Sequence, residues 1–289
     1  MSGSATWKDR LDRLDSAANA ARAQLETSVE VAGKQLSLYR AGLREGSDWF
    51  GLFGRDLLIT ALLLDEPDVE RDVLRFVHET LGTCCDPRTG EEPGRGLHEF
   101  DDVEMRGLST RYDASEVSLL FLVTAARHAA RVGGGEVAEE ISNGLTAAIE
   151  YVVRHSEDGL FREDPSLCGA SRYALRATYW KDSRLPTRED PAYPVTYSLV
   201  QAQTVAALRA AAQLADRLPN DAPSRAELAR RADRAADRLF DDLWDASTGY
   251  PLIAVDEDGP IGGVSSDALH MLFYLDPRDV EASRLQAIA

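Results

Sequence analysis

The sequence has few cysteines and no long apolar run. No stretch of about 18 apolar residues occurs in the 289 residues, so a transmembrane helix is not expected. The N-terminus MSGSATWKDRLDRLD lacks the charged-then-apolar order of a secretory signal. Cys84, Cys85 and Cys168 form neither a disulfide framework nor a zinc-binding pattern. These absences predict a soluble, cytoplasmic protein with reduced thiols and no bound metal.

Basic residues are scarce beside acidic ones, and lysine is almost missing. The 49 acidic and 32 basic residues give a net charge of −17, with lysine only at positions 8, 34 and 181. Phosphate backbones and anionic membrane surfaces are bound by patches of Lys and Arg, so we expect neither nucleic acid nor membrane as a partner. The arginine bias is typical of a salt-adapted or high-GC source and carries no information about the fold.

Helical periodicity runs through most of the sequence. Apolar or alanine residues recur at spacings of three and four, which places them on one face of a helix. The spacing predicts about eight helices, with Asp68 and Ser266 as N-caps and glycine near several ends. The predicted helices are 8–32, 55–65, 68–82, 115–133, 135–156, 196–218, 225–245 and 266–275.

The connections between these helices alternate between short and long. Those at 83–114, 157–194 and 246–265 are long and rich in Gly, Pro, aromatic and charged residues, and such loops are usually functional. This alternation predicts a ring of helical hairpins with the long loops at one face. The glycine cluster at 133–135 does not follow a strand, so we expect no dinucleotide cofactor. No low-complexity linker divides residues 1–289, which predicts one domain.

The first candidate site is SDWFGLFGRDLLIT, residues 47–60. Arg55 and Asp56 open a helix directly after a glycine-broken aromatic loop, where charged side chains and free backbone amides can face a ligand. An ordinary helix start is the simpler interpretation. Trp49 and Phe50 favour a sugar subsite, because aromatic rings cover the apolar face of a pyranose and charged groups bind its hydroxyls.

The second candidate is EEPGRGLHEFDD, residues 91–102, in which carboxylates surround His98. A solvated acidic loop is the alternative interpretation in so acidic a chain. A metal site is disfavoured, because one histidine among scattered carboxylates has no recognisable ligand spacing.

The third candidate, RATYWKDSRLPTREDPAYP at residues 176–194, places two aromatics, a lysine and an aspartate in consecutive positions. Trp180 can stack on a sugar and Lys181 can bind a hydroxyl, while a less polar setting would keep Asp182 protonated. A neutral carboxylic acid is what cleavage of a glycosidic bond needs, since the leaving oxygen must receive a proton. A surface salt bridge beside a core tryptophan is the alternative.

The fourth candidate, GGVSSDALHMLFYL at residues 262–275, places His270 in the first turns of a helix. A capped helix with a hydrogen-bonded histidine is the commoner explanation of this pattern. His78, His128 and His155 lie on or at the ends of predicted helices, and we interpret them as structural.

The segments FGRDLLI, LHEF, YWKDS, YSLVQAQTVAALRAAAQLA and SSDALHMLFYL occur in the order seen in a known family. Over about residues 46–275 the chain resembles the (α/α)6-barrel glycoside hydrolases, especially the amylo-α-1,6-glucosidase-like group of glycogen-debranching enzymes and the glucosylglycerate and mannosylglycerate hydrolases. The resemblance implies an all-α toroid of the (α/α)6 type. It also implies an exo-acting, inverting hydrolase of terminal α-glucosyl or related α-glycosyl units, with a carbohydrate as its partner.

By this resemblance, Arg55 and Asp56 match the Arg-Asp pair that holds the non-reducing-end sugar, and Asp182 matches the general acid beside an indole. The implied inverting mechanism places acid and base about 6.5–9.5 Å apart, with a water between the base and the anomeric carbon. The residues that would line the pocket are Trp180, Lys181 and Gln201.

The chain departs from this family at two places. Where the family reads Asp-Ala-Thr-Pro-Leu-Phe, the sequence has EVSLLF at 116–121, so Glu116 replaces an aspartate. A full barrel has twelve helices, and the eight predicted here leave it incomplete at the C-terminus, before the segment that carries the family's base. Unclosed helix faces would favour self-association. Within this chain, Glu99, Asp101 and Glu116 are the candidates for the base.

Three explanations of the incomplete ring stay open: a fragment, a ring that closes differently, or a protein that binds sugar without cleaving it. A sugar isomerase or epimerase on the same fold would use histidines as acid and base, and only His98 and His270 lie where such a pair could meet. A non-catalytic sugar-binding or helical scaffold protein needs only the pocket. Glucan branch point, glycerate and small disaccharide are all compatible as the aglycone.

Overall fold

The computed structural model describes residues 7–42, 51–133, 135–182, 184–219 and 222–288, within which ten α-helices and nine short strands occur. The helices are α1 Trp7–Leu25, α2 Gly54–Leu64, α3 Pro67–Thr80, α4 Val117–Val132, α5 Glu136–Glu140, α6 Ser142–His155, α7 Ser198–Leu214, α8 Arg225–Asp242, α9 Asp267–Tyr274 and α10 Ala282–Ile288. The strands are β1 Glu26–Val31, β2 Lys34–Tyr39, β3 Glu104–Met105, β4 Leu108–Ser109, β5 Thr196–Tyr197, β6 Trp244–Asp245, β7 Tyr250–Pro251, β8 Ala254–Asp256 and β9 Gly259–Ile261.

The hydrophobic core lies around α4 and α7. Helix α4 packs against α2, α3 and α6, and α7 packs against α4, α8 and α9. Both helices are rich in apolar and alanine residues on most faces, which allows burial nearly all round. Helix α8 instead buries one stripe that includes Leu228, Ala232 and Leu239, and it exposes charged residues elsewhere. No helix of the described segments is long and apolar enough to cross a membrane.

The predicted helix at 8–32 is wrong after residue 25. Helix α1 ends at Leu25, and β1 pairs antiparallel with β2 through a turn at Ala32 and Gly33, whose φ angles are 50° and 74°. The β-branched residues Val29 and Val31 alternate with more exposed neighbours, a period of two that suits a strand. The largely helical character agrees with the all-α prediction, but these small strands depart from it.

Most other predicted helices are present with shifted ends. The segment 135–156 is divided at Ile141 into α5 and α6. Helix α7 starts only at Ser198, because the two residues before it form strand β5, which pairs with β8. Ser266 directly precedes α9, as predicted, but its side chain makes no capping hydrogen bond. Asp68 is not an N-cap, because α3 begins at Pro67 after Glu66 and Asp68 lies inside its first turn. Helix α10 lies after the eight predicted helices.

The three long loops contact one another. The guanidinium of Arg106 donates to the backbone oxygen of Tyr173 at 2.9 Å, which joins the first long loop to the second. The backbone nitrogen of Glu257 donates to the oxygen of Ala192 at 3.0 Å, which joins the third to the second. The second long loop therefore contacts both of the others, and the placement of all three at one face of a ring of hairpins stays a prediction. The arrangement of the helices as an incomplete (α/α)6 toroid stays a prediction.

Exposed apolar side chains occur on α2 and α9. Leu63 is 70% exposed, and Leu269 and Phe273 are 53% and 54% exposed. These are the faces on which the predicted self-association would rest, and it stays a prediction.

Candidate active site

Helix α2 begins where the first and second candidate segments cross. The backbone nitrogen of Gly54 donates to the oxygen of His98 at 2.9 Å, and Phe53 and Glu99 form an antiparallel bridge. A Cβ atom at Gly54 would lie 2.1 Å from the backbone oxygen of Leu97, so this approach requires glycine. The crossing brings the start of α2 next to His98 and Glu99.

Arg55, in the first turn of α2, binds two carboxylates. Its Nη1 donates to Oδ1 of Asp182 at 3.1 Å and to Oε2 of Glu116 at 3.2 Å, and its Nη2 donates to Oδ2 of Asp182 at 2.5 Å. Burial opposes the charge of the guanidinium, but the two carboxylates outweigh it and raise the pKa of Arg55. Arg55, Glu116 and Asp182 form what we call the Arg55 cluster.

Glu116 lies directly before α4 and is completely buried. Its Oε2 accepts from Arg55, whereas no donor of the described residues reaches Oε1. Burial raises the pKa of Glu116 to about 7; Arg55 opposes this shift and Asp182 adds to it. A large share of Glu116 is therefore protonated at neutral pH.

Asp182 forms the open side of the Arg55 cluster, with its side chain 17% exposed. Its φ of 47° is left-handed, a conformation that Asp tolerates better than most residues. Burial raises the pKa of Asp182, and Arg55 opposes that shift. The predicted general acid therefore sits in a desolvated position, and its ion pair is with a buried arginine rather than with a surface group.

Asp267, the first residue of α9, holds the residues that precede Asp182. Its Oδ1 accepts from Nε1 of Trp180 at 2.6 Å, its Oδ2 accepts from the hydroxyl of Tyr179 at 3.1 Å, and Nζ of Lys181 lies 3.4 Å from Oδ1. The ring of His270 lies 4.6 Å from that of Trp180. The third and fourth candidate segments are thus joined through a residue that sequence reasoning missed. Its position three residues before His270, on the same helix face, was the available signal.

A pocket of about 360 Å³ opens beside Asp182. Its volume is in the range of small-molecule sites. Its polar lining residues are His98, Glu99, Thr110 and Asp182, and its apolar lining residues are Phe53, Val103, Met105 and Leu175.

His98 and Glu99 present defined hydrogen-bonding groups at this pocket. Nδ1 of His98 lies 3.1 Å from the backbone oxygen of Thr110; a carbonyl only accepts, so Nδ1 carries the proton and Nε2 is an acceptor. No donor within the described segments reaches Nε2. Burial, followed by the charge of Arg55, lowers the pKa of His98 to about 3, so the ring is neutral at physiological pH. Glu99 accepts from the hydroxyl of Thr110 at 2.6 Å.

Asp56 follows Arg55 in α2 but is not among the described residues that line the pocket. Asp56 lies in the first turn of α2, and its side chain is exposed. Partial desolvation of its carboxyl group raises the pKa of Asp56, and the charge of Arg55 opposes that shift. Trp49 and Phe50 lie outside the described residues. Asp101 is exposed.

Gln201, expected to line the pocket, is completely buried in α7. Its amide nitrogen donates to the backbone oxygens of Gly159 and Ala235 at 2.7 and 2.8 Å, and its amide oxygen accepts from the nitrogen of Phe161 at 2.8 Å. These bonds tie the start of the second long loop to α7 and α8. The structure does not bring Gln201 to the pocket.

Within the described part of the chain, no three His, Cys, Asp or Glu side chains come together in a way that could hold a metal ion.

The fold is similar to that of known glycoside hydrolases. A GH78 family rhamnosidase of Bacillus sp. GL1 is 17% identical with a TM-score of 0.57, over 84% of this chain and 22% of that one. A rhamnosidase from Klebsiella oxytoca, solved with rhamnose bound, is 16% identical with a TM-score of 0.53, over 86% of this chain and 42% of that one. The GH63 mannosylglycerate hydrolase from Thermus thermophilus, in complex with Tris, is 14% identical with a TM-score of 0.56, over 87% of this chain and 71% of that one.

This chain spans less than half the length of either rhamnosidase. No protein-family model and no curated protein sequence matches it. At these identities the likeness shows a similar, largely helical fold and no more.

Proposed function

We propose that this chain acts as an exo-acting, inverting glycoside hydrolase that removes a terminal α-glycosyl unit, with α-glucosyl as the first candidate. The observation that carries the proposal is the Arg55 cluster, in which two desolvated carboxylates share one guanidinium at the edge of a pocket. The fold that the chain shares with two rhamnosidases and a mannosylglycerate hydrolase supports a glycosidic substrate.

Asp182 is the general acid in this proposal. It lines the pocket, and its desolvation favours the neutral carboxyl that can protonate a leaving glycosidic oxygen. When Asp182 is neutral, Arg55 keeps its bond to Glu116 and has donors for the hydroxyls of the sugar.

Glu99 is the base that we favour within this chain, because it lines the same pocket as Asp182. Glu116 is unsuited to that role. Its Oε2 and Oδ1 of Asp182 lie 3.2 and 3.1 Å from the same Arg55 nitrogen, so these two oxygens are closer than the roughly 6.5–9.5 Å that leaves room for a water. Glu116 is also completely buried, so we assign it the positioning of Arg55.

The test is release of free sugar from a panel of α-glucosides, including a branched maltooligosaccharide and glucosylglycerate, alongside α-mannosides and α-rhamnosides. We expect proton NMR to show the inverted anomer. Asp182→Asn should lower kcat by about 10²–10⁴-fold, the usual contribution of a general acid, and should leave sugar binding nearly intact. Glu189→Gln is the matched control, because Glu189 lies in the same loop, has a side chain that is 72% exposed and pairs with Arg176.

Full turnover by Asp182→Asn would show that Asp182 is not the general acid. A product with the same anomeric configuration as the substrate would show that the reaction does not proceed with inversion. Sugar binding by the wild type without any turnover would favour the non-catalytic sugar-binding protein instead.

A further inference from the structure

Half of the residues lining the pocket beside Asp182 are apolar, and two of these side chains are well exposed. Val103 and Met105 are 40% and 47% exposed, and Leu175 and Phe53 extend the same apolar lining. A sugar hydroxyl finds no hydrogen-bonding partner on such side chains. Apolar side chains that face a pocket next to a catalytic acid favour an apolar group of the substrate.

The exposed apolar residues stand on an anchored hairpin. Strand β3 pairs with β4 through Arg106 and Gly107, whose φ angles are 55° and 78°. The guanidinium of Arg106 donates to the backbone oxygen of Tyr173 and pairs with Asp190, and the backbone nitrogen of Thr110 donates to the oxygen of Val103 at 2.9 Å. The hairpin therefore holds Met105 at the pocket instead of folding it into the core.

The charges around the pocket disfavour an anionic group in it. Among the described residues that line it there is no Lys or Arg. Arg55 is bound by two carboxylates, and both terminal nitrogens of Arg106 are engaged. A carboxylate in the pocket would meet the carboxylate of Glu99, with no Lys or Arg among the described lining residues to offset it.

We propose that this pocket is an aglycone site for an uncharged, apolar leaving group, such as an aryl or alkyl alcohol, and that it discriminates against anionic leaving groups such as glycerate. The proposal rests on the proposed function and names the class of substrate for it. The glycosyl unit occupies the Arg55 side, and the apolar part of the alcohol lies against Met105 and Val103.

The test compares benzyl, hexyl and methyl α-glycosides and the glycerate glycoside, all with the glycosyl unit that the first assay identifies. These leaving groups are all alcohols of similar reactivity, so differences report binding of the aglycone. We expect kcat/KM at least tenfold higher for the benzyl and hexyl compounds than for the methyl compound, and lowest for the glycerate compound. Met105→Gln should lower the benzyl-to-methyl ratio several-fold, mainly through KM.

Val132→Gln is the matched control. Val132 is also 47% exposed, but it ends α4, roughly 24 Å along that 16-residue helix from Glu116. We expect this variant to keep the wild-type ratio.

Equal kcat/KM for methyl and benzyl glycosides, with turnover that depends on Asp182, overturns the aglycone site and leaves the proposed function standing. If no glycoside is hydrolysed, the proposed function fails, and binding of benzyl alcohol by ligand-observed NMR then decides the site. Binding that Met105→Gln weakens and Val132→Gln does not weaken upholds the site; no binding to the wild type overturns it.

Discussion

At the scale of single residues, the proton on Glu116 links the Arg55 cluster to pH. Burial raises the pKa of Glu116 to about 7, whereas an unfolded glutamate titrates near pH 4.3. The native state therefore holds a proton that the unfolded state releases between these two values. Because the native state binds more protons there, this group lowers the free energy of unfolding as pH rises, by at most about 1.4 kcal/mol per pH unit.

Glu116→Gln removes this titration and keeps an oxygen that can accept from Arg55. We expect the variant to gain stability relative to the wild type between pH 5 and pH 8, by up to about 3 kcal/mol, as measured by urea unfolding. Burial also raises the pKa of Asp113 to about 7. Asp113 titrates in both the variant and the wild type, so its contribution cancels in the difference between their free energies of unfolding. Glu150→Gln, at an exposed position of α6, is the control. A difference between variant and wild type that is the same at both pH values would contradict the prediction.

The sequence identified many of the residues of the candidate site but not their contacts. Arg55 stood out because it opens a helix directly after aromatic residues, and Asp182 because it lies beside Trp180 in a long connection. Their ion pair crosses 127 residues of chain, a separation that no local pattern encodes. Gln201 was assigned from the resemblance alone, and its amide proved to be fully used within the fold.

At the scale of elements, the start of α9 fixes the loop that carries the proposed acid. Asp267 is 3% exposed and accepts from Trp180 and Tyr179, with Lys181 nearby. A buried acceptor with several donors is costly to remove, because each donor is left without a partner.

Asp267→Asn turns part of this acceptor into a donor that faces other donors. We expect a loss of about 2–3 kcal/mol in the free energy of unfolding. We also expect a fall in kcat, since Trp180 lies two residues before Asp182. Urea unfolding and turnover measure the two effects. Asp276→Asn, just after α9 and paired with Arg278, should change neither by a comparable amount. Wild-type stability in Asp267→Asn would show that α9 does not clamp this loop.

The elements that the sequence predicted best are those with an unbroken three-and-four spacing, α2, α4 and α9. Strand β1 was missed because its alternation of Val29 and Val31 follows directly on a helical stretch without a Gly or Pro. The division between α5 and α6 was missed because Ile141 fits the helical apolar pattern although its backbone does not continue the helix. Local composition does not show where pairing between distant strands shortens a helix. The pairing of β5 with β8, which delays the start of α7, is such a case.

At the scale of the whole molecule, the net charge of −17 governs the response to salt. Like charges on a compact chain repel, and the Debye length falls from about 30 Å at 0.01 M salt to about 3 Å at 1 M. We expect the unfolding temperature to rise by several degrees between 20 mM and 500 mM NaCl, as followed by circular dichroism. Replacing both Asp12 and Asp15, exposed on α1, with lysine should reduce this rise. A fall in the unfolding temperature with added salt would show that attractive ion pairs outweigh the repulsion.

The contacts around Arg55 join residues that are far apart in the chain, and this separation determines when they can form during synthesis. Asp182 is added 127 residues after Arg55, and Asp267 is added 87 residues after Trp180. At a synthesis rate of about 5–20 residues per second, each interval lasts several seconds or longer. During the first interval Arg55 lacks the carboxylate of Asp182, and during the second Trp180 and Lys181 lack their acceptor, Asp267. The ribosome therefore completes this site only when α9 has been made, and until then no intermediate of translation has the pocket's full set of contacts.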